Sequence, residues 1–350
     1  PTGGPITHDA TSVETYDTIF TIAESPLRRG QLWVGTDDGL VWLTRDDGRH
    51  WENLTAHVPQ MPEWGRVASL TPSPFDAASA YLAVDTHLLG DRTPHVYVTH
   101  DYGAHWRSID GDLTGASYSD VVKEDPFRRG LLYLGTGNGL YVTFDDGAHW
   151  RRMNGGLPTA PVYDLAVQRR FDDLIVATHG RGIYVLDDAR PIQEYTPALA
   201  SRQLALFPTR TAYLWSTGRG TYSEDTQTGS DPDYGALIDF WLADAPAAHE
   251  AVNVRIYDGA QLIRTLSVTK AHAGINRIAW NLRYEALKPV PNSDPWRRGG
   301  FAGPRAVPGV YRIAVTAGGS TQSGSVRVAA DPKAHTTTAA LQEQFTFVMR

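Results

Sequence analysis

Short apolar runs alternating with polar positions recur through the first half of the chain, each cut off by a cluster of Gly, Pro, Asp or Ser. Leu40-Val41-Trp42-Leu43, His95-Val96-Tyr97-Val98 and Leu140-Tyr141-Val142 carry the period of half-buried β-strands. Each leads into one eight-residue frame, Thr-x-Asp-x-Gly-x-His-Trp. The copies are Thr44 to Trp51, Thr99 to Trp106 and Thr143 to Trp150. The pattern predicts a hairpin turn. Asp accepts hydrogen bonds from turn amides, Gly supplies φ > 0, and Trp anchors the returning strand.

Aligning the chain on this frame exposes a larger repeat. An opening strand ends at a proline turn in Thr18 to Pro26, Arg66 to Pro74 and Ser119 to Pro126. A second strand follows in Gln31 to Thr36, Ala80 to Val84 and Leu131 to Thr136. Four short strands per unit are the signature of a β-propeller blade. A fourth, degenerate unit runs from Val162 to Asp188 and has lost the Gly and Trp of its Asp turn. The expected fold is all-β, with four visible blades belonging to a larger ring. Residues 1–17 read as a connecting segment from a preceding blade, and 18–190 as the blades.

Residues 191–234 read as a transition in which Gln203 to Phe207 pairs with Thr211 to Trp215 across Pro208-Thr209. Gly218 to Asp233 reads as a loop. From Gly235 six or so short strands without helices predict a small β-sandwich over 235–332. The Glu285 to Arg305 insertion, with Trp296 and Phe301, reads as a long loop on it. Over 336–350, Thr338 is placed to cap a helix with Leu341, Phe345 and Val348 on one face. That helix is expected to end before it meets a partner.

Composition narrows the function classes. The chain has 350 residues, net charge −7 and no Cys. The negative balance gives no general attraction to nucleic acid or anionic membrane. Missing Cys excludes disulfides and thiolate metal sites without fixing the compartment. No apolar run is long enough to span a membrane as a helix. The chain starts at Pro1 and stops within an apparent helix, which reads as an internal piece of a longer protein.

The Asp turns resemble the Asp-box (BNR) repeats of sialidases, sortilin-type receptors and xyloglucan-active glycoside hydrolases. The whole arrangement resembles bacterial exported sortilin-like BNR-repeat proteins, often labelled "glycosyl hydrolase", with an immunoglobulin-like domain after the blades. Trp33 to Gly39, Ala177 to Gly182, Gly274 to Trp280 and Val307 to Tyr311 add to the likeness. It implies an extracellular or periplasmic protein with a glycan, peptide or protein ligand. It does not select an activity, because the Asp box occurs in enzymes and receptors alike.

Asp46, Asp101 and Asp145, with Thr44, Gly48, Trp51, Thr99, Gly103, Trp106, Thr143, Gly147 and Trp150, are read as structural parts of the turns. One His per blade (His50, His105, His149) cannot converge on a metal at the roughly 2 Å that zinc ligands need. No metal or cofactor is called for. Binding residues are expected at the other end of the blades, where second-to-third-strand loops and blade connections converge. Candidates there are Asp37, Asp38, Trp64, Asp85, His87, Asp91, Arg92, Tyr118, Asn138, Tyr163, His179 and Arg181. Asp37, Asp85, Asp120 and Asp164 are the carboxylates from which a glycosidase pair could be drawn. Three readings stand: a non-catalytic binding propeller, a glycoside hydrolase partly built by missing upstream blades, and a structural subunit of a larger surface assembly.

Overall fold

The structure, a computed structural model, describes residues 17–215, 233–247, 250–286 and 302–349. The chain divides into two compact units, Pro1–Ala189 and Arg190–Arg350. Residues 1–16, nearly all of the loop expected from Gly218 to Asp233, and the loop carrying Trp296 and Phe301 lie outside the described residues.

The first unit consists of β-propeller blades. Three are four-stranded antiparallel sheets whose strands follow sequence order. Blade 1 comprises Ile19–Glu24, Leu32–Thr36, Val41–Thr44 and Glu52–Asn53; blade 2 comprises Arg66–Pro72, Ala80–Asp85, His95–Thr99 and Trp106–Ser108. Blade 3 comprises Ser119–Glu124, Leu132–Thr136, Gly139–Thr143 and Trp150–Met153. Blade 4 has three strands, Val162–Gln168, Asp173–Thr178 and Ile183–Leu186. The first strands of successive blades pack against one another and form the inner layer.

The Asp turns join the two outer strands of blades 1 to 3. Thr44 Oγ1 donates to Asp46 Oδ1 at 3.0 Å and accepts from the Gly48 amide, while Asp46 Oδ1 accepts from the His50 amide at 2.9 Å. Asp46 Oδ2 lies 2.5 Å from His50 Nδ1, and this bond above all draws the Asp46 carboxyl down to about 2. His105 pairs in the same way with Asp101 at 2.6 Å, and His149 with Asp145 at 2.7 Å. Each turn thus uses its own His.

The turns also clasp neighbouring blades. A Cβ on Gly103 would stand 2.4 Å from Leu54 Cδ1 of blade 1, and one on Gly147 would stand 2.7 Å from Ile109 of blade 2. Trp106 packs edge-on against Trp33 of blade 1, with ring centroids 6.1 Å apart. Trp150 donates from Nε1 to the Ile109 carbonyl of blade 2 at 2.6 Å. Each buried Trp therefore anchors its blade to the preceding one. Trp51 departs from the expectation of an anchor: it is exposed, because among the described residues no blade precedes its own.

In the second unit two sheets enclose one core. The smaller sheet orders Leu204–Leu206, Ala236–Leu242 and Gly274–Trp280. The larger orders Ala212–Leu214, Ser320–Ala330, Gly309–Ala317, Val252–Asp258 and Gln261–Val268. Phe240, Ile238, Val254, Ile313, Trp280 and Tyr311 meet between them, the last two edge to face at 5.2 Å. The strands flanking Pro208 do not form the expected hairpin. Leu204–Leu206 pairs antiparallel with Leu242–Phe240, whereas Ala212–Leu214 runs parallel to Val328–Ala330. The proline-bearing link carries the chain from one sheet to the other, so both strands bury apolar side chains in the shared core.

The helix Thr338–Met349 is capped by Thr337, not Thr338, since the Thr337 hydroxyl accepts from the Ala340 amide at 3.2 Å. It also finds a partner. Phe345 meets the Tyr284 ring at 4.9 Å, and Leu341 and Val348 line the same groove along the sandwich. No helix among the described residues is long and apolar enough to cross a membrane.

Candidate functional site

One backbone irregularity repeats in every blade and builds the site. In each, the first strand pairs with the second in regular register except for one extra residue near its start. The register skips Phe20 in blade 1, Ala68 in blade 2, Asp120 in blade 3 and Tyr163 in blade 4. A bulge re-aims the side chain it carries. All four of these residues line one cavity of about 240 Å³, together with Arg66, His87 and Leu88. By strand direction, this is the end opposite the Asp turns.

The glycines of the second strands allow the inner layer to close up. A Cβ on Gly35 would lie 2.1 Å from Val67 of the next blade, and one on Gly135 only 2.4 Å from the Val162 carbonyl. Ala83 and Ala177 occupy the matching positions in blades 2 and 4. Close approach of successive inner strands is what brings four separate bulges to one cavity.

Charge in the site centres on two carboxyls. Asp85 is buried and takes both the Arg66 guanidinium and His87, whose Nδ1 lies 2.6 Å from Oδ1 and whose amide is 2.9 Å from it. Asp120 is buried too, yet its Oδ2 has no hydrogen-bond partner. Burial, then the charge of Asp85, pushes the Asp120 carboxyl up to about 7, against the pull of Arg66. Asp120 is thereby held largely protonated in mildly acidic solution, near the Asp85 carboxyl that Arg66 and His87 engage.

Rings surround this pair. His87 stacks on Tyr118 with centroids 4.3 Å apart, and Tyr163 meets His179 at 4.8 Å. The Arg66 guanidinium sits 4.6 Å from the centre of the Phe20 ring, a cation–π distance. Burial and the nearby Asp120 and Asp85 charges raise the Tyr118 hydroxyl to about 12, so it stays a neutral donor. Phe20 and Tyr163 remain exposed and offer ring surface to a ligand.

The other candidate residues fall outside this cluster. Asp37 is engaged by Thr18, whose amide and hydroxyl donate to it at 2.9 and 2.7 Å. Asp38 is half-buried, with an Oδ1 that lacks a partner. Asp164 forms an ion pair with Lys123 at 2.9 Å, and Asn138 ties the Ser117 amide and Gly115 carbonyl together. Desolvation pushes Asp91 up, but bonds from Thr93 and His95 outweigh it and hold the carboxyl at about 2. Arg92 and Arg181 are exposed, and Trp64 is exposed at a positive φ of 62°. Of the four catalytic candidates, Asp85 and Asp120 are brought together; Asp37 and Asp164 are each tied to another partner.

Sequence reasoning passed over Arg66, Phe20 and Ala68. The available signal was the alignment itself, since Phe20, Ala68, Asp120 and Tyr163 occupy one column of the opening strands.

No protein-family model matches the chain, and no curated protein matches it. Solved structures do. A GH74 enzyme of Niastella koreensis is 13% identical with a TM-score of 0.41, over 90% of this chain and 47% of its own. A YCF48 structure bound to D1 peptide is 15% identical with a TM-score of 0.36, over 65% of this chain and 66% of its own. PorZ, a surface component of the Porphyromonas gingivalis type-IX secretion system, is 12% identical with a TM-score of 0.30, over 89% and 52%. The chain spans about half the length of the GH74 enzyme and of PorZ. Likenesses this distant leave function to the site itself.

Proposed function

We propose that this chain is an exported Asp-box propeller protein that binds a hydroxyl-rich ligand, a glycan, at the cavity formed by the four bulges. The observation that carries the reading is the convergence of Phe20, Ala68, Asp120 and Tyr163 on one cavity beside Arg66 and Asp85. Exposed ring faces suit the apolar face of a sugar. The unpartnered Asp120 Oδ2 supplies a buried hydrogen-bonding group that a ligand hydroxyl would satisfy. A peptide or protein partner is the competing occupant of the same surface. The second unit, read as an immunoglobulin-like module, acts as spacer or docking domain.

The test is binding of immobilised oligosaccharides and peptides by the protein and by its Tyr163→Ala and Asp120→Asn variants. Oligosaccharide binding that each variant weakens at least about tenfold, the scale of one buried hydrogen bond or ring contact, is expected. Binding unaffected by both variants would place the ligand elsewhere.

One observation favours a second reading, glycoside hydrolysis. Asp120 is held protonated close to the charged Asp85, the split of environments that separates a general acid from its partner carboxylate. Arg66 and His87 both engage Asp85, however, which suits a fixed structural charge better than a nucleophile or base. Release of reducing sugar that Asp120→Asn abolishes, while glycan binding persists, would decide for hydrolysis.

A further inference from the structure

The larger sheet of the second unit turns one face to the shared core and gathers arginines on the other. Antiparallel partners point to the same side of a sheet, so register assigns each side chain to a face. On Val252–Asp258, Gly309–Ala317 and Ser320–Ala330 the inward positions include Val254, Ile256, Ile313, Val315, Val326 and Val328, all in the core. Arg255, Arg312 and Arg327 take outward positions, and each is exposed. No Asp or Glu stands at an outward position of these strands. On a chain of net charge −7 the face is a local exception.

Register also sets the spacing. Arg327 lies opposite Val310, two residues before Arg312, and Arg312 lies opposite Tyr257, two residues after Arg255. Successive arginines are thus diagonal neighbours on adjacent strands, about 7–8 Å apart, in a line that spans roughly 15 Å. The Tyr257 ring steadies the middle one, with its centroid 3.7 Å from Arg312 Cζ. That cation–π contact leaves the N–H groups at the guanidinium edge open to a ligand. Among the described residues none of the three arginines forms an ion pair with a carboxylate. Exposed Ser323 and Ser325 flank the line with hydroxyls that both donate and accept.

We propose that this face binds an acidic polysaccharide, a polymer with carboxylate or sulfate groups at intervals along it. A guanidinium takes either anion through paired hydrogen bonds, and a row of three matches a chain of repeated charge. An added peptide strand does not fit here. Each of the three strands is paired on both edges, so their backbone offers no open ladder. Recognition falls to side chains alone, and the serine hydroxyls suit sugar hydroxyls. The site belongs to the second unit and is independent of what the propeller cavity binds.

The test is binding of the whole chain to immobilised polygalacturonate, dextran sulfate and neutral dextran at about 0.05 M and about 0.5 M salt. Binding to at least one acidic polymer and not to dextran is expected, falling at least about tenfold at the higher salt. Which polymer is bound tells carboxylate from sulfate. Arg312→Gln should weaken binding about fivefold, the upper end for one exposed ion pair. The triple variant Arg255→Gln, Arg312→Gln, Arg327→Gln should weaken it at least about thirtyfold. A control triple, Arg28→Gln, Arg29→Gln, Arg49→Gln, removes equal charge from exposed positions of the first unit and should leave binding unchanged. Circular dichroism checks each fold, and if the first triple unfolds Arg312→Gln alone decides. Failure to bind either acidic polymer would overturn the proposal, as would equal losses in the two triples. Equal or tighter binding of poly-glutamate or of phosphatidylglycerol vesicles would overturn it in favour of a protein or a membrane.

Discussion

The charge of Asp85 adds to burial in holding the Asp120 carboxyl up at about 7, the two residues following Val84 and Ser119, whose carbonyl and hydroxyl are hydrogen-bonded at 3.2 Å. An unfolded Asp titrates near 3.9. Between those values the folded chain holds a proton that the unfolded chain has released. Stability contributed by Asp120 is therefore fully present below about pH 4 and is lost as pH rises through about 7. The loss is on the order of 4 kcal/mol at most. Chemical denaturation of the wild type and of Asp120→Asn should give curves that diverge with this slope over that window. A difference independent of pH would mean that the carboxyl is not buried in its neutral form.

Trp106 and Trp150 occupy the same place in consecutive blades but differ at one atom. Trp150 Nε1 donates to the Ile109 carbonyl, whereas Trp106 Nε1 is buried without a partner. Phe in place of Trp150 leaves that carbonyl unpaired, at a cost of about 1–3 kcal/mol beyond lost packing. Phe in place of Trp106 loses packing and relieves an unsatisfied donor. Urea unfolding should rank Trp150→Phe as the more destabilising of the two. The reverse ranking would count against the hydrogen bond.

Much of this architecture is legible in the sequence. Thr44, Asp46, Gly48 and their repeats specify a local turn whose hydrogen bonds close within a few residues, so the frame alone foretells it. The turns then fix strand order and point to the opposite end of the blades, where Asp85, His87, Tyr118 and Tyr163 stand out. What stays hidden depends on register. Phe20 and Asp120 turn toward the cavity only because each is skipped by its partner strand, and a two-residue alternation hides that skip. Arg66 escapes notice because its role comes from Asp85, on the neighbouring strand. The strands around Pro208 mislead for the same reason, since their true partners lie far along the chain.

Gly135 provides a test of the close inner packing. An added Cβ would stand 2.4 Å from the Val162 carbonyl and 2.7 Å from the Val121 side chain, so backbone must yield. Gly135→Ala should destabilise by about 1–3 kcal/mol, the cost of overpacking a closed core. Gly111→Ala, where nothing lies within 4 Å, serves as the neutral control. Equal melting temperatures for the two variants would contradict the close approach of blades 3 and 4.

The histidines of the Asp turns give the final prediction, because their pairing is local and directly titratable. His149 Nδ1 lies 2.7 Å from Asp145 Oδ2, and this hydrogen bond, followed by the charge of Asp145, raises the imidazole above its usual 6.5. The protonated ring is thus favoured in the folded chain. Its contribution is fully present below about pH 6.5 and is lost as pH rises through the raised value. The ring is exposed, so solvent screening keeps the effect on stability small. Proton NMR of the His149 ring should show a midpoint above about 6.5, and Asp145→Asn should return it toward that value. A midpoint unmoved by Asp145→Asn would show that Asp145 does not clasp His149 and that the turn is held by Thr143 and backbone amides.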